Sequence, residues 1–225
     1  PDDAIEGVAG SLTWRPGQAV VHCSGSLSLD VLETARRQGA TVGAIHPLQT
    51  FANVENAIQN LPGSTFALET EDDVLLAELE GIAHALRGHP IRLGPGDKVL
   101  YHASAVLACN YLVTLMQMAT DLWAEFDVPR HEATLSLMPL LRGTLSNLEK
   151  VGLPNCLTGP IARGDVGTVR KHVQALEQRA PGLLRPYREL GLQTIPVALA
   201  KGKLSEEAAA ALRTLLGDPV EARRT

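Results

Sequence analysis

Apolar positions in the first ninety residues fall into short runs separated by amphipathic stretches. Ala19-Val20-Val21, Val42-Gly43-Ala44-Ile45, Thr65–Leu68 and Ile91–Leu93 are short, bounded by polar or glycine positions, and read as strands. Leu27 to Gln38 has helical periodicity and stops at Gly39. Further helices are predicted near Asn53–Asn60 and from Asp72 to Arg87. Asp2 or Asp3 can cap a helix running to Trp14. Strand, helix, strand at this spacing is a βαβ crossover, and the alternation predicts an α/β domain with a partial, Rossmann-type parallel sheet.

Gly94-Pro95-Gly96 changes the pattern and divides the chain into an α/β domain, 1–93, and a helical domain, 94–225. Asp97 to Asp127 contains neither Pro nor Gly and predicts one long helix, ~45 Å at 1.5 Å per residue. Pro129 suits the first turn of a helix continuing to about Val151. Asn155 to Gly164 is a polar loop, Asp165 can cap a helix to Arg179, and two more helices follow near Leu183–Ala200 and Ser205–Leu216. Between Val99 and Trp123 the apolar residues occur nearly all round the helix, which calls for cover on several sides. The expectation is a homodimer built through the helical half.

Composition narrows the classes. Of 225 residues 45% are apolar and the net charge is −5, so the chain reads as soluble and globular, and the lack of a long basic run argues against a nucleic-acid partner. The apolar stretch Ala103 to Met118 is interrupted by Asn110 and Gln117 and reads as too short and too polar to span a bilayer. No signal-like amino terminus is present, and Cys23, Cys109 and Cys156 are scattered, which points to a cytoplasmic protein. The chain has no G-x-G-x-x-G. The α/β domain therefore reads as a Rossmann fold entered at its middle, its first strands and phosphate loop outside the sequence.

Two polar clusters follow neighbouring predicted strands, His22-Cys23-Ser24-Gly25 and His46-Pro47-Leu48-Gln49. Parallel strands would bring both to the carboxyl edge of the sheet, where open α/β folds bind ligands. His46 can serve as a general acid or base, donate to a substrate oxygen, or simply cap the strand end. Pro47 holds it extended in either case. Ser24 can bond a substrate or a nicotinamide amide, or serve only the turn it forms with Gly25. His22 and Cys23 point to opposite faces and read as packing. Lys98, His102, Val106 and Asn110 recur every four residues on one arc of the long helix, with Tyr101 beside them. Asn110 falls ~12 Å beyond His102, so the two can reach opposite ends of one ligand. A buried Asn or His there needs partners. In the loop Thr158–Asp165, Arg163 is either a clamp for a carboxylate or phosphate or a solvated side chain. No set of histidines, thiols and carboxylates has metal-ligand spacing.

Taken together, Pro1-Asp2-Asp3-Ala4-Ile5, His22-Cys23-Ser24-Gly25, His46-Pro47-Leu48-Gln49-Thr50-Phe51, Tyr101-His102-Ala103-Ser104-Ala105 with Asn110-Tyr111, and Leu157 through Asp165 resemble one family. It is the Rossmann-like family whose carboxyl-terminal half is known as domain of unknown function 2520. Its allies are the pyrroline-5-carboxylate and ketopantoate reductases and the 6-phosphogluconate dehydrogenases. The resemblance implies a dimeric oxidoreductase using NADP or NAD on a small-molecule substrate. His46-Pro47-Leu48 is also similar to the His-Pro-Met turn of prephenate dehydrogenases, which implies that His46 polarises the reacting oxygen with Ser24 as its helper. Lys98 and His102 have the spacing of the Lys and Asn of hydroxyacid dehydrogenases, with His102 in the place of Asn. On this reading the nicotinamide lies over Ser24, Gly25 and Pro47. The substrate contacts Tyr101 and Asn110, and Arg163 anchors its carboxylate. The alternatives are a non-catalytic nucleotide-binding or sensor dimer and a structural dimerisation module.

Overall fold

The computed structural model describes residues 1–217. The chain forms two compact units, Pro1–Val113 and Thr114 onward. The first holds a four-stranded sheet of order β1 (Ala19–His22), β2 (Thr41–Leu48), β3 (Thr65–Thr70) and β4 (His89–Arg92). Helices α1 (Ile5–Ser11), α2 (Glu33–Arg37), α3 (Val54–Asn60) and α4 (Asp73–Ala85) belong to the same unit. Alternate residues of β2 serve its two faces. Val42 and Ala44 pack with Ala9, Leu29, Leu32 and Ala35, whereas Ile45 packs with Phe66, Leu68, Leu75, Leu76 and Leu79. Gly43 lets α4 approach closely, since a Cβ there would stand 2.9 Å from Leu75 Cδ2. Full burial of Leu32, Leu68 or Leu79 contributes on the order of 1.5–3 kcal/mol each.

The sheet departs from the expected parallel arrangement in one pair. β1 and β2 are parallel, as are β3 and β4, but β2 and β3 are antiparallel. The chain turns back through residues 49–64 at the edge it has just reached, so no crossover intervenes. As a consequence β2 runs past the predicted strand end. His22 pairs with Ala44, and beyond that point His46 pairs with Ala67 and Pro47 with Phe66. His46 is thus a strand residue on the part of β2 that projects past β1, not a loop residue. The first helix also differs. A 3-10 turn at Asp2–Ala4 leads into α1, which ends at Ser11 without a side-chain cap from either aspartate. Trp14 lies beyond it and donates its indole N–H to the Ala9 carbonyl.

The predicted long helix is realised as a 30-residue helical run, Asp97–Phe126. It comprises α5 (Asp97–Ala105), a wide π-type turn (Val106–Asn110), α6 (Tyr111–Trp123) and a short 3-10 end. The units divide within it, at Val113, beyond the Gly94-Pro95-Gly96 turn, and Lys98 of α5 bonds back to the Leu27 carbonyl of the sheet unit. The run is long and apolar enough to cross a membrane. This corrects the reading of Ala103–Met118 as too short, since the helix continues at both ends. Val99, Leu100, Leu107 and Val113 are exposed on it.

The second unit continues with α7 (Arg130–Val151), α8 (Val166–Arg179), α9 (Pro181–Ala200) and α10 (Glu206–Leu216). Val169, Val173, Ile195, Ala209, Leu212 and Leu216 form its core. Asp165 caps α8 through its side chain, as its sequence position predicts, and Ser205 caps α10 in the same way. α9 starts two residues earlier than predicted, with Pro181 in its first turn, where a missing N–H costs nothing.

Candidate active site

The site begins with the turn that leaves β1. Ser24 is buried, and its Oγ donates to Asp2 Oδ2 at 2.8 Å while accepting the amides of Ser26 at 3.2 Å and Leu27 at 3.1 Å. Ser26 Oγ donates to the same Asp2 oxygen at 3.1 Å. The bond from Ser24 is the main cause holding the Asp2 carboxyl below its ordinary range. The Ser24 hydroxyl is therefore satisfied within the turn. One residue pair earlier, His22 is 5% exposed and its Nδ1 accepts the Ser24 amide at 3.1 Å. That bond assigns the proton to Nε2, which is buried without a partner among the described residues. Burial, and then the Lys98 charge, push the His22 imidazole down to about 4.

The turn places Gly25 against His46. A Cβ on Gly25 would lie 2.7 Å from His46 Nε2 and 3.1 Å from His102 Nδ1, so only glycine leaves the two rings where they are. From the other side, Tyr101 and His102 of α5 close on His46. The Tyr101 hydroxyl is 2.9 Å from His46 Nδ1, and the His46 and His102 rings stand edge to face with centroids 6.3 Å apart. Burial raises Tyr101 to about 12, so it keeps its proton, and its hydroxyl donates to Nδ1 or accepts from it according to the tautomer of His46. Burial first, then His102 and Lys98, lower His46. A neutral His46 that accepts at Nδ1 must carry its proton on Nε2, the atom beside Gly25. His102 Nδ1 is buried and unpartnered among the described residues.

Beneath this cluster lies an ion pair. Lys98 Nζ is 3.7 Å from Glu69 Oε2, and the two residues are 2% and 7% exposed. Lys98 also donates to the Leu27 carbonyl at 3.0 Å. Burial raises Glu69 and lowers Lys98, each partly offset by the other's charge. Neither Glu69 nor the use of Asp2 by the serines follows from the sequence pattern. The only hint was a carboxylate closing the apolar run Phe66-Ala67-Leu68.

The structure thus brings together Ser24, Gly25, His46, Tyr101 and His102. Pro47, half-buried, occupies the strand position after His46. Asn110, expected to be buried, is exposed at the end of the wide turn, which displaces it from a regular four-residue arc. Arg163 is exposed on a 3-10 turn of the second unit, ahead of Gly164 in a left-handed conformation. Among the described residues no three His, Cys, Asp or Glu side chains form a metal-binding group.

Fold and cluster define a Rossmann-type α/β unit, joined to a helical unit, with a histidine–tyrosine site beside a glycine turn. The chain belongs to the family described as Domain of unknown function (DUF2520), whose profile matches residues 64–194. Protein TM1727 from Thermotoga maritima is similar at 30% identity and TM-score 0.76, over 90% of this chain and 77% of that one. BF3122 from Bacteroides fragilis, assigned as an NADP oxidoreductase, is 21% identical at TM-score 0.67, over 87% of this chain and 71% of its own. The 1-pyrroline-5-carboxylate reductase of Streptococcus pyogenes shares the fold at 18% identity and TM-score 0.54, over 88% and 73% of the two chains. No functionally curated protein matches the sequence.

Proposed function

We propose that the protein is an NAD(P)-dependent oxidoreductase acting on a small carboxylate-bearing substrate, a hydroxy/keto or amino/imino acid. The observation that carries this reading is the close grouping of His46 with Tyr101, His102 and Gly25, in which the Tyr101 hydroxyl is 2.9 Å from His46 Nδ1 and Nε2 lies against the glycine turn. The orphaned His102 Nδ1 next to it supplies a second polar atom for a bound group. A nicotinamide bound here would supply or accept the hydride at the substrate carbon. In the reducing direction the protonated His46 ring gives its Nε2 proton to the oxygen or nitrogen on that carbon and becomes neutral, and in the oxidising direction the neutral ring takes the proton back at Nε2. Tyr101 keeps the imidazole oriented through Nδ1. Ser24 shapes the edge and, with Gly25 and Pro47, forms the wall for the nicotinamide. Asn110 is the proposed contact to the remainder of the substrate. The fold shared with an assigned NADP oxidoreductase supports NADP as the cofactor. The chain contains no glycine-rich phosphate loop, so the reading concerns the reacting end of that cofactor.

Titration with NADPH, NADH and reduced nicotinamide mononucleotide tests the reading. Saturable shifts of the Ser24, Gly25 and His46 amide resonances are expected, together with oxidation of NADPH by members of a panel of small keto and cyclic imino acids. No saturable shift with any of the three would overturn it.

The working unit is proposed to be a cytoplasmic homodimer. In α7 only Ala133 is buried, yet Leu135, Met138, Leu141, Leu145 and Leu148 recur at three- and four-residue spacing on one stripe. That stripe is apolar surface which a second copy would cover. Sedimentation is expected to give twice the mass of one chain. Charged substitutions at Leu145 and Leu148 are expected to return the monomer mass.

A further inference from the structure

We propose that Lys98 is a positioning residue for the His46 site, acting through the Ser24–Leu27 turn and through its fixed charge without touching substrate. The inference rests on the role given to His46 above. Lys98 lies one helical turn before Tyr101 and His102 on the same face of α5, the place where a catalytic lysine would be looked for. Its ammonium, however, is enclosed. At 2% exposure it points to the Leu27 carbonyl and to Glu69, away from solvent.

The enclosed ammonium joins three elements. Leu27 ends the turn in which its own amide binds Ser24 Oγ, and the same turn carries Gly25 against His46 Nε2. Glu69 fixes the ammonium to β3, and the backbone of Lys98 fixes it to α5. Displacing Lys98 would free the turn from the helix that holds Tyr101 and His102. The charge acts as well. Tyr101 and His102 of α5 stand against the His46 ring, Lys98 of α5 and Asp2 of the amino-terminal turn act on it by charge, and His22 of β1 and Glu69 of β3 flank Ala44, two strand positions before it. Lys98 is the one permanent cation among them, and it disfavours a proton on His46 at Nδ1 and Nε2 together.

Imidazole titration by NMR, on the full chain without cofactor or substrate, tests this independently of any turnover. The double variant Lys98→Met/Glu69→Met removes the pair without leaving a lone buried charge. It is expected to raise the His46 midpoint by about half a unit or more and to shift the Ser24–Leu27 amides. Glu69→Gln leaves the ammonium uncompensated and is expected to move the midpoint the other way, while Lys98→Arg keeps the charge and holds it near the wild-type value. Thermal melts by circular dichroism establish that each variant is folded. A His46 midpoint unchanged in the double variant and in Glu69→Gln, or in whichever of the two folds, would overturn the proposal. NADPH binding and hydride transfer could still survive that result, and their failure would leave these midpoints untouched.

Discussion

His46→Ala is expected to slow hydride transfer by about 10²–10⁴-fold, the range lost when a positioned acid–base group is removed. The loss should appear in the single-turnover rate, with NADPH affinity changed little. The reasoning is geometric. The Tyr101 hydroxyl lies 2.9 Å from Nδ1, and Nε2 lies against Gly25 beside the unpartnered His102 Nδ1. Alanine deletes the ring that carries the proton and leaves the Tyr101 hydroxyl without its partner. Gly25→Ala provides the companion measurement. Its Cβ would stand 2.7 Å from Nε2 and 3.1 Å from His102 Nδ1, so both rings must shift although neither has been altered chemically. Because a misplacement of about 1 Å can cost on the order of 10²-fold, this variant is expected to be slowed as well, with the fold intact. Wild-type rates in His46→Ala would remove His46 from the chemistry.

Much of this site was legible as spacing and little of it as contact. The runs at Ala19–Val21 and Val42–Ile45, with a helix between them, place two polar clusters at neighbouring strand ends. That juxtaposition appears as Gly25 against His46. Tyr101 and His102 were readable as neighbours on one arc because helical periodicity is local. The extension of β2 was not readable, since Pro47 normally marks the end of a strand. Here it pairs with Phe66 in an antiparallel ladder, a position that depends on where residues 49–64 return. The wide turn at Val106–Asn110 contains neither Pro nor Gly, so no residue announced it or the exposure of Asn110. Ser24 shows the limit for turn chemistry. Any of Ser24, Ser26 and Ser28 can cap the segment that follows. The structure divides the work, Ser28 capping the 3-10 turn and Ser24 bonding Asp2 and two amides. The Lys98–Glu69 pair spans two elements and is a fact of tertiary packing, which periodicity does not encode.

Stability is expected to fall by about 3 kcal/mol as the pH drops from about 6.5 to about 4, with His22 as the main source. His22 is 5% exposed, accepts the Ser24 amide at Nδ1 and is held neutral down to about 4. In the unfolded chain it binds a proton near 6.5. Between those values the unfolded state holds more protons than the native state, so acid favours unfolding. The contribution is present in full above 6.5 and is lost progressively as the pH falls toward 4. His46, lowered by its own burial and then by His102 and Lys98, acts in the same direction. Glu69 opposes them, because burial raises its carboxyl and the native state then gains from protonation as the pH falls. Asp2 and Asp165 are lowered by hydrogen bonds, chiefly from Ser24 and Thr168, so their contributions are lost only in stronger acid. Denaturant unfolding of wild type and His22→Asn across this range isolates the His22 share. Asparagine keeps an acceptor near Nδ1 and cannot titrate, so its stability should decline less steeply. Equal slopes for the two proteins would place the acid sensitivity elsewhere.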